Sequence, residues 1–224
     1  GVPISDMLSS YLALSGILMA LYRRQITGQG DFIDISMFES VLAASPNILG
    51  PVFAGERTPD RLRERTHGGN AMLNIYETND NCYIALGGGE PKFVEALFKG
   101  LGRPDFIGTV SGPAGEKHWP AIEFLRKTFR TRPMSDWKNW LSERDVCWSP
   151  VLSLKDAWNS EHVWARGMRF KDTDGNDHIG SAIRFHNEPA QINTELPKIG
   201  SNTANIISDL DLTSEQRQDI LSKT

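Results

Sequence analysis

Apolar positions change their spacing several times along the chain, and each change predicts a different element. Between Met7 and Tyr22 almost every position is apolar or small, with Ser5 and Asp6 ahead of the run and Arg23 and Arg24 behind it. Ser and Asp offer N-cap chemistry, and cations suit the negative end of a helix dipole, so a helix is predicted over Asp6 to Arg24. The stretch Thr27-Gly28-Gln29-Gly30 stops it. Asp31 to Ser36 alternates polar and apolar residues with the period of two of a strand, and Met37 to Ala44 returns to helical spacing. Ser45 to Thr66 is broken by glycine and proline and carries a charge cluster from Arg57 to Arg65. It predicts an exposed crossing between two lobes, the charges being those of a solvated linker.

Beyond Gly68 the runs shorten. Leu73 to Glu77 and Cys82 to Leu86 read as strands joined by the turn Thr78-Asn79-Asp80-Asn81. After Gly87-Gly88-Gly89, Glu90 and Pro91 open a helix that runs through Leu101. Trp119 to Phe129 and Ser135 to Ser142 are two further helices, the second capped by Ser135. A new element starts at Val151, with Leu154 to Asn159 helical. Met168 to Phe170 and Ala182 to Phe185 are short strands around the turn Asp174-Gly175-Asn176, and Ser214 to Leu221 is an amphipathic terminal helix. The domains expected from this pattern are 1–50, a large-lobe segment with a linking helix; 51–67, a linker; 68–147, a small α/β domain; and 148–224, a return to the large lobe.

Composition narrows the function classes. A hydrophobic fraction of 39% in 224 residues fills a real core, and a net charge of -4 with no long basic run argues against nucleic acid. The two cysteines, Cys82 and Cys147, are far apart, which disfavours a zinc site or a disulfide scaffold and suits a cytoplasmic location. The apolar run Tyr11 to Tyr22 falls short of the roughly 20 residues that span a bilayer, so no membrane is expected. Five histidines are scattered without an i,i+4 pair; His67, beside Gly68-Gly69, is the one placed to face a site at the lobe entry, against the commoner role of a surface or structural histidine. Six tryptophans between Trp119 and Trp164 read as the aromatic core of the small lobe.

Three segments carry a resemblance. The first is Ile4-Ser5-Asp6, the apolar helix, and then TGQGDFIDISM from Thr27 to Met37. The second joins Gly68-Gly69, Tyr76-Glu77-Thr78, Tyr83 to Gly87 and Glu90-Pro91-Lys92-Phe93. The third is Ser149-Pro150-Val151, Arg166-Gly167-Met168 and Arg184-Phe185 before a proline-containing exit. In this order they resemble the class III CoA-transferase family (CaiB/BaiF), which includes formyl-CoA transferase and alpha-methylacyl-CoA racemase. The resemblance implies an α/β fold, here the C-terminal portion of a two-lobe enzyme with part of a Rossmann-like large lobe and a small α/β lobe. It also implies an interlocked homodimer when the protein is complete.

It further implies coenzyme A or an acyl-CoA as substrate, a carboxylate as co-substrate, and no permanently bound cofactor or metal. Family transferases have a nucleophilic aspartate at the position of Asp6; read from the residues alone, Asp6 is a helix cap. Gly87, Gly88 and Gly89 resemble a mobile glycine loop over the reacting group, against a plain strand-to-helix turn. Glu90 resembles the glutamate that pairs with a catalytic histidine in the racemase branch, against a first-turn helix acid. Leu73 departs from that branch, which often has tyrosine there. The reading that follows is CoA transfer between carboxylic acids, with racemase-type α-proton transfer as one alternative and a non-catalytic CoA-binding or scaffold lobe as another.

Overall fold

A computed structural model describes residues 1–55 and 58–222. Arg57, at the head of the charge cluster, lies outside the described residues. The chain divides into two compact units, Gly1–Val151 and Leu152–Thr224.

The first unit opens with α1 (Ile4–Thr27), α2 (Met37–Ala43) and α3 (Pro46–Gly55). Pro3, not Ser5 or Asp6, occupies the cap position of α1, and no side chain caps it. Proline fixes φ near its helical value, so the helix starts two residues earlier than the serine and aspartate suggest. Gly28, at φ 73°, ends the helix in the left-handed conformation, and its N–H reaches the Arg24 carbonyl. The expected strand at Asp31 to Ser36 is not formed: a strand needs a neighbour, and none of the described residues supplies one. Ser36 instead caps α2 by accepting from the Glu39 N–H. The crossing expected from Ser45 onward contains a helix, α3, whose proline at the first position is compatible with helix entry.

α1 buries none of its residues. Its half-covered positions include the small residues Ser9, Ala13, Gly16 and Ala20, one helical stripe, and a Cβ on Gly16 would lie 3.1 Å from Ile33 Cγ2. As a 24-residue helix α1 is long and apolar enough to cross a membrane by length and composition, a correction to the shorter run taken from the sequence.

The buried core of this unit lies between Ala71 and Trp148. β1 (Leu73–Glu77), β2 (Tyr83–Gly87) and β3 (Trp148–Val151) form an antiparallel sheet with β2 in the middle, Tyr76 opposite Ile84 and Ile84 opposite Pro150. α4 (Pro91–Gly100), α5 (Ile107–Val110), α6 (Trp119–Phe129) and α7 (Met134–Ser142) contribute their apolar faces. Phe98, Phe106 and Phe124 form one aromatic chain with centroids 5.6 Å apart; Tyr76, Phe129 and Trp137 form another at 5.3 and 4.9 Å. The buried Trp137 indole donates to the Phe129 carbonyl at 2.8 Å, which removes the cost of an unpaired N–H. Pro133, not Ser135, precedes α7 as its cap. Arg63, from the charge cluster, is no free linker charge: it pairs with Asp60 and Glu116, and the segment is a folded turn.

In the second unit α8 (Leu154–Trp158) and α9 (Glu161–Ala165) are capped by Ser153 and Ser160. β4 (Arg169–Lys171) pairs with β5 (Asp177–Ile179), so the second strand follows the turn directly and Ala182 to Phe185 is unpaired. The loop between them closes on the Asp172 carboxylate, which accepts from Asp174, Asn176 and His178 and is thereby held far below the usual carboxylate range, His178 first. Trp158 and Trp164 flank Arg169 at 5.5 and 4.6 Å, so these two tryptophans do not belong to the small-lobe core. α10 (Thr203–Ser208) and α11 (Ser214–Ser222) end the unit.

Candidate functional site

Two places carry the residues singled out from the sequence. The first is the start of α1. Asp6 is the third residue of the helix, exposed, with Ser5 Oγ donating to its Oδ2 at 3.3 Å. The four leading N–H groups of a helix and its dipole favour an anion there, so this carboxylate sits where negative charge is stabilised. It does not line the cavity that holds Glu90.

That cavity, of about 430 Å³, is the second place. Its lining comes from three stretches: Gly87, Gly89 and Glu90; Val110 to Ala114; and Arg65, Asn70 and Leu73. Gly87 closes β2, its N–H bonded to the Cys147 carbonyl at 3.0 Å. Gly88 is packed so closely that a Cβ would lie 2.6 Å from the Phe93 ring and 2.7 Å from Cys147 Cβ. A Cβ on Gly89 would meet nothing nearer than Asn70 Nδ2 at 3.9 Å. The run is therefore anchored at its centre and open at its far end.

Glu90 is the cap residue of α4, with Pro91 at the first helical position. Its carbonyl accepts from Phe93 and Val94, but its side chain makes no cap bond. Its carboxylate has no hydrogen bond or ion pair to a described residue, and it folds back over Gly88, 2.9 Å from where a Cβ there would stand. A carboxylate not used by its own helix is available to a bound molecule or to another part of the protein.

His67 does not join this group. It is exposed on the tight turn 62–69, where its carbonyl accepts from the Leu62 N–H at 2.6 Å, and it does not line the cavity. The turn forces the backbone of Gly69 against Arg63, where a Cβ would be 2.3 Å from the carbonyl. The histidine that does meet the cavity wall is His118, fully buried, which bonds Ala71 and Gly112. A larger cavity, about 680 Å³, lies within the second unit; Arg166, Gly167, Arg184 and Phe185 of the third segment line it, and none of Asp6, His67, Gly87, Gly88, Gly89 or Glu90 does.

Residues 1–203, which include both places, match CoA-transferase family III. The chain belongs to that family. Over 203 residues it is 26% identical to alpha-methylacyl-CoA racemase from Homo sapiens, covering 90% of this chain and 53% of the relative. Over 232 residues it is 25% identical to L-carnitine CoA-transferase from Proteus sp., covering 98% of this chain and 57% of the relative. Its fold is that of a CAIB/BAIF family protein from Brucella suis, with a TM-score of 0.71 at 21% identity over 94% of this chain and 56% of that one. The chain spans about half the length of the curated relatives it matches. Among the described residues no group of three or more His, Cys, Asp or Glu is placed to hold a metal ion.

The packing of the glycine run makes a contrast that a family member can be tested on. Gly88→Ala is expected to cost about 1–3 kcal/mol through overpacking against Phe93 and Cys147. Gly89→Ala is expected to leave the melting temperature unchanged while lowering kcat if the open end of the run moves during turnover. Thermal melts and steady-state kinetics of the two variants in the whole protein check this.

Proposed function

We propose that this chain is the C-terminal portion of an enzyme that moves coenzyme A between carboxylic acids, with Asp6 as the nucleophile. The observation that carries the reading is the family match across residues 1–203, with Asp6 exposed in the first turn of α1. The Asp6 carboxylate attacks the thioester carbon of an acyl-CoA; the C–S bond breaks, giving an aspartyl acyl anhydride and CoA thiolate. The thiolate then attacks the aspartyl carbonyl, releasing the donor carboxylate and leaving an aspartyl-CoA thioester. An acceptor carboxylate attacks that thioester, and the returning thiolate takes the acceptor acyl group and regenerates Asp6. The Gly87-Gly88-Gly89 run and Glu90 cover the reacting group, and acyl-CoA and the carboxylate are the substrates. Domain 68–147 is the small lobe that carries this cover, and segments 1–50 and 148–224 belong with the large lobe. The second subunit of a cytoplasmic homodimer completes the site.

The likeness to alpha-methylacyl-CoA racemase supports a second reading, in which Asp6 moves an α-proton and Glu90 orients a histidine of another part of the protein. In that role His67 has no place beside Glu90. Hydroxylamine separates the readings. In the whole protein incubated with acyl-CoA it is expected to convert Asp6 to a hydroxamate, a mass change on the peptide containing Asp6. A racemase gives no hydroxamate but exchanges α-hydrogen with deuterated water, and a binding lobe does neither.

A further inference from the structure

We infer that the cavity beside Glu90 receives the acyl group and that His118 is its positioning residue, a strut between two stretches of its lining; this rests on the proposed function, in which the glycine run and Glu90 cover the reacting group. His118 ends the 3-10 turn Glu116–His118 just ahead of α6 and is completely buried. Its Nδ1 accepts the Ala71 N–H at 3.3 Å, which requires that nitrogen to be unprotonated. The ring proton is then on Nε2, 3.3 Å from the Gly112 carbonyl, to which it donates. Only the neutral ring makes both bonds. Burial favours that form and holds the His118 pKa below the ordinary histidine value, against the smaller opposing effect of the Gly112 and Pro113 backbone.

The two partners belong to two stretches of chain that both contribute to the cavity's lining. Ala71 follows Asn70, which faces the cavity and whose Oδ1 is held by the Met72 N–H at 2.8 Å. Gly112 is in the Ser111–Ala114 wall. Among the described residues one backbone bond also ties these two strands of chain, Gly115 N–H to the Gly69 carbonyl at 2.9 Å. With Gly115 fixed at one end, the His118–Gly112 bond sets how far the wall leans toward the glycine run. A buried histidine spent on two backbone groups, with no ion pair, gives shape to the wall without adding charge to it.

Asparagine and glutamine separate the two bonds, because the asparagine amide reaches the position of Nδ1 and the glutamine amide that of Nε2. Both variants lower stability; they differ in which stretch of chain is released, that of Ala71 or that of Gly112. In the whole protein, His118→Asn is expected to raise deuterium exchange across Ser111–Ala114 roughly tenfold. It is also expected to raise the acyl-CoA KM about five- to tenfold with kcat within about twofold, the range of one lost hydrogen bond. His118→Gln is expected to leave both within about twofold of the unsubstituted protein. The substrates are acetyl-CoA, butyryl-CoA and oxalyl-CoA, each with the free acids of the other two as acceptors, and the pair turned over fastest supplies the KM. Equal exchange and equal KM in the two variants would overturn the strut. So would a wall that loosens in His118→Asn with the KM unmoved, and that result leaves the transferase reading standing. If the unsubstituted protein turns over none of the three, the proposed function falls and the assignment to the acyl cavity falls with it, even where the exchange pattern holds.

Discussion

Asp6→Ala in the whole protein is expected to lower the rate of CoA transfer at least about a thousandfold while leaving the fold intact. The two halves of this result have separate causes. Activity is lost because, in the proposed reaction, the anhydride and the CoA thioester are both bonds to this carboxylate, and a methyl group can form neither. Stability is kept because Asp6 is exposed, caps nothing, and has one weak side-chain contact, the 3.3 Å bond from Ser5 Oγ. Surface substitutions of that kind change stability by at most about 0.5 kcal/mol, so the melting temperature should move by no more than about two degrees. Residual transfer within tenfold of the unsubstituted enzyme would remove Asp6 from the nucleophile's role. A large drop in melting temperature would mean that the carboxylate holds something in the whole protein that these residues do not include.

Much of the fold was readable because single segments carried their own evidence. α1, the β1–β2 hairpin, α4 and α6 each combine an apolar pattern with a stop or a turn, and the structure forms them within three residues of the expected bounds. What failed depended on partners. Asp31 to Ser36 has strand periodicity but no strand beside it, while β3 was missed because Ser149 and Pro150 look unlike a strand and pair with β2 all the same. Pro150 is tolerated there because β3 is at the sheet's edge. β5 was misplaced because Asp177-His178-Ile179 has little apolar signal, the pairing being reinforced by the Arg169–Asp177 ion pair at 2.7 Å. Proline and glycine hid α3, and proline replaced the expected serine and aspartate caps at two helices.

The site divides in the same way. Glu90 and the glycine run were legible because they sit on one short local motif. Arg65, Asn70 and the Ser111–Ala114 wall come to the same cavity from separate stretches of chain, which no local pattern records. His118 was passed over for a related reason: it is 47 residues from Ala71, the backbone group it holds, and an isolated histidine has no periodicity to betray it. His67 drew notice from its neighbour Gly68-Gly69, and in the structure those glycines serve the tight turn that His67 belongs to, outside the lining of the Glu90 cavity.

The largest effect on assembly is expected from Leu18→Glu. In α1 the small residues Ser9, Ala13, Gly16 and Ala20 are half-covered, while Tyr11, Leu14, Leu18 and Tyr22 form a stripe that is 48 to 70% exposed. A helix apolar on all faces is buried in a protein core or a bilayer. Fully burying one exposed side chain of this kind contributes about 1.5–3 kcal/mol, and these four have a little over half of their surface still to lose, so roughly 4–7 kcal/mol acts to cover this stripe. Gly16 receiving Ile33 and the ion pair of Arg23 with Asp31 at the end of the helix suit a protein cover, for which the proposed remainder of the enzyme and proposed second subunit are the candidates. A glutamate at position 18 would then stand uncompensated in an apolar interface, at a cost of several kcal/mol. In the whole protein the variant is expected to lose its native oligomer in sedimentation at micromolar concentration, or to aggregate. In the 224-residue chain alone Leu18 is already 58% exposed, so the same change should leave the melting temperature unmoved and reduce self-association. An unchanged oligomer in the whole protein would show that the stripe is not an interface, and binding of the unsubstituted protein to phosphatidylcholine vesicles, abolished by the glutamate, would put a bilayer in the place of the second subunit.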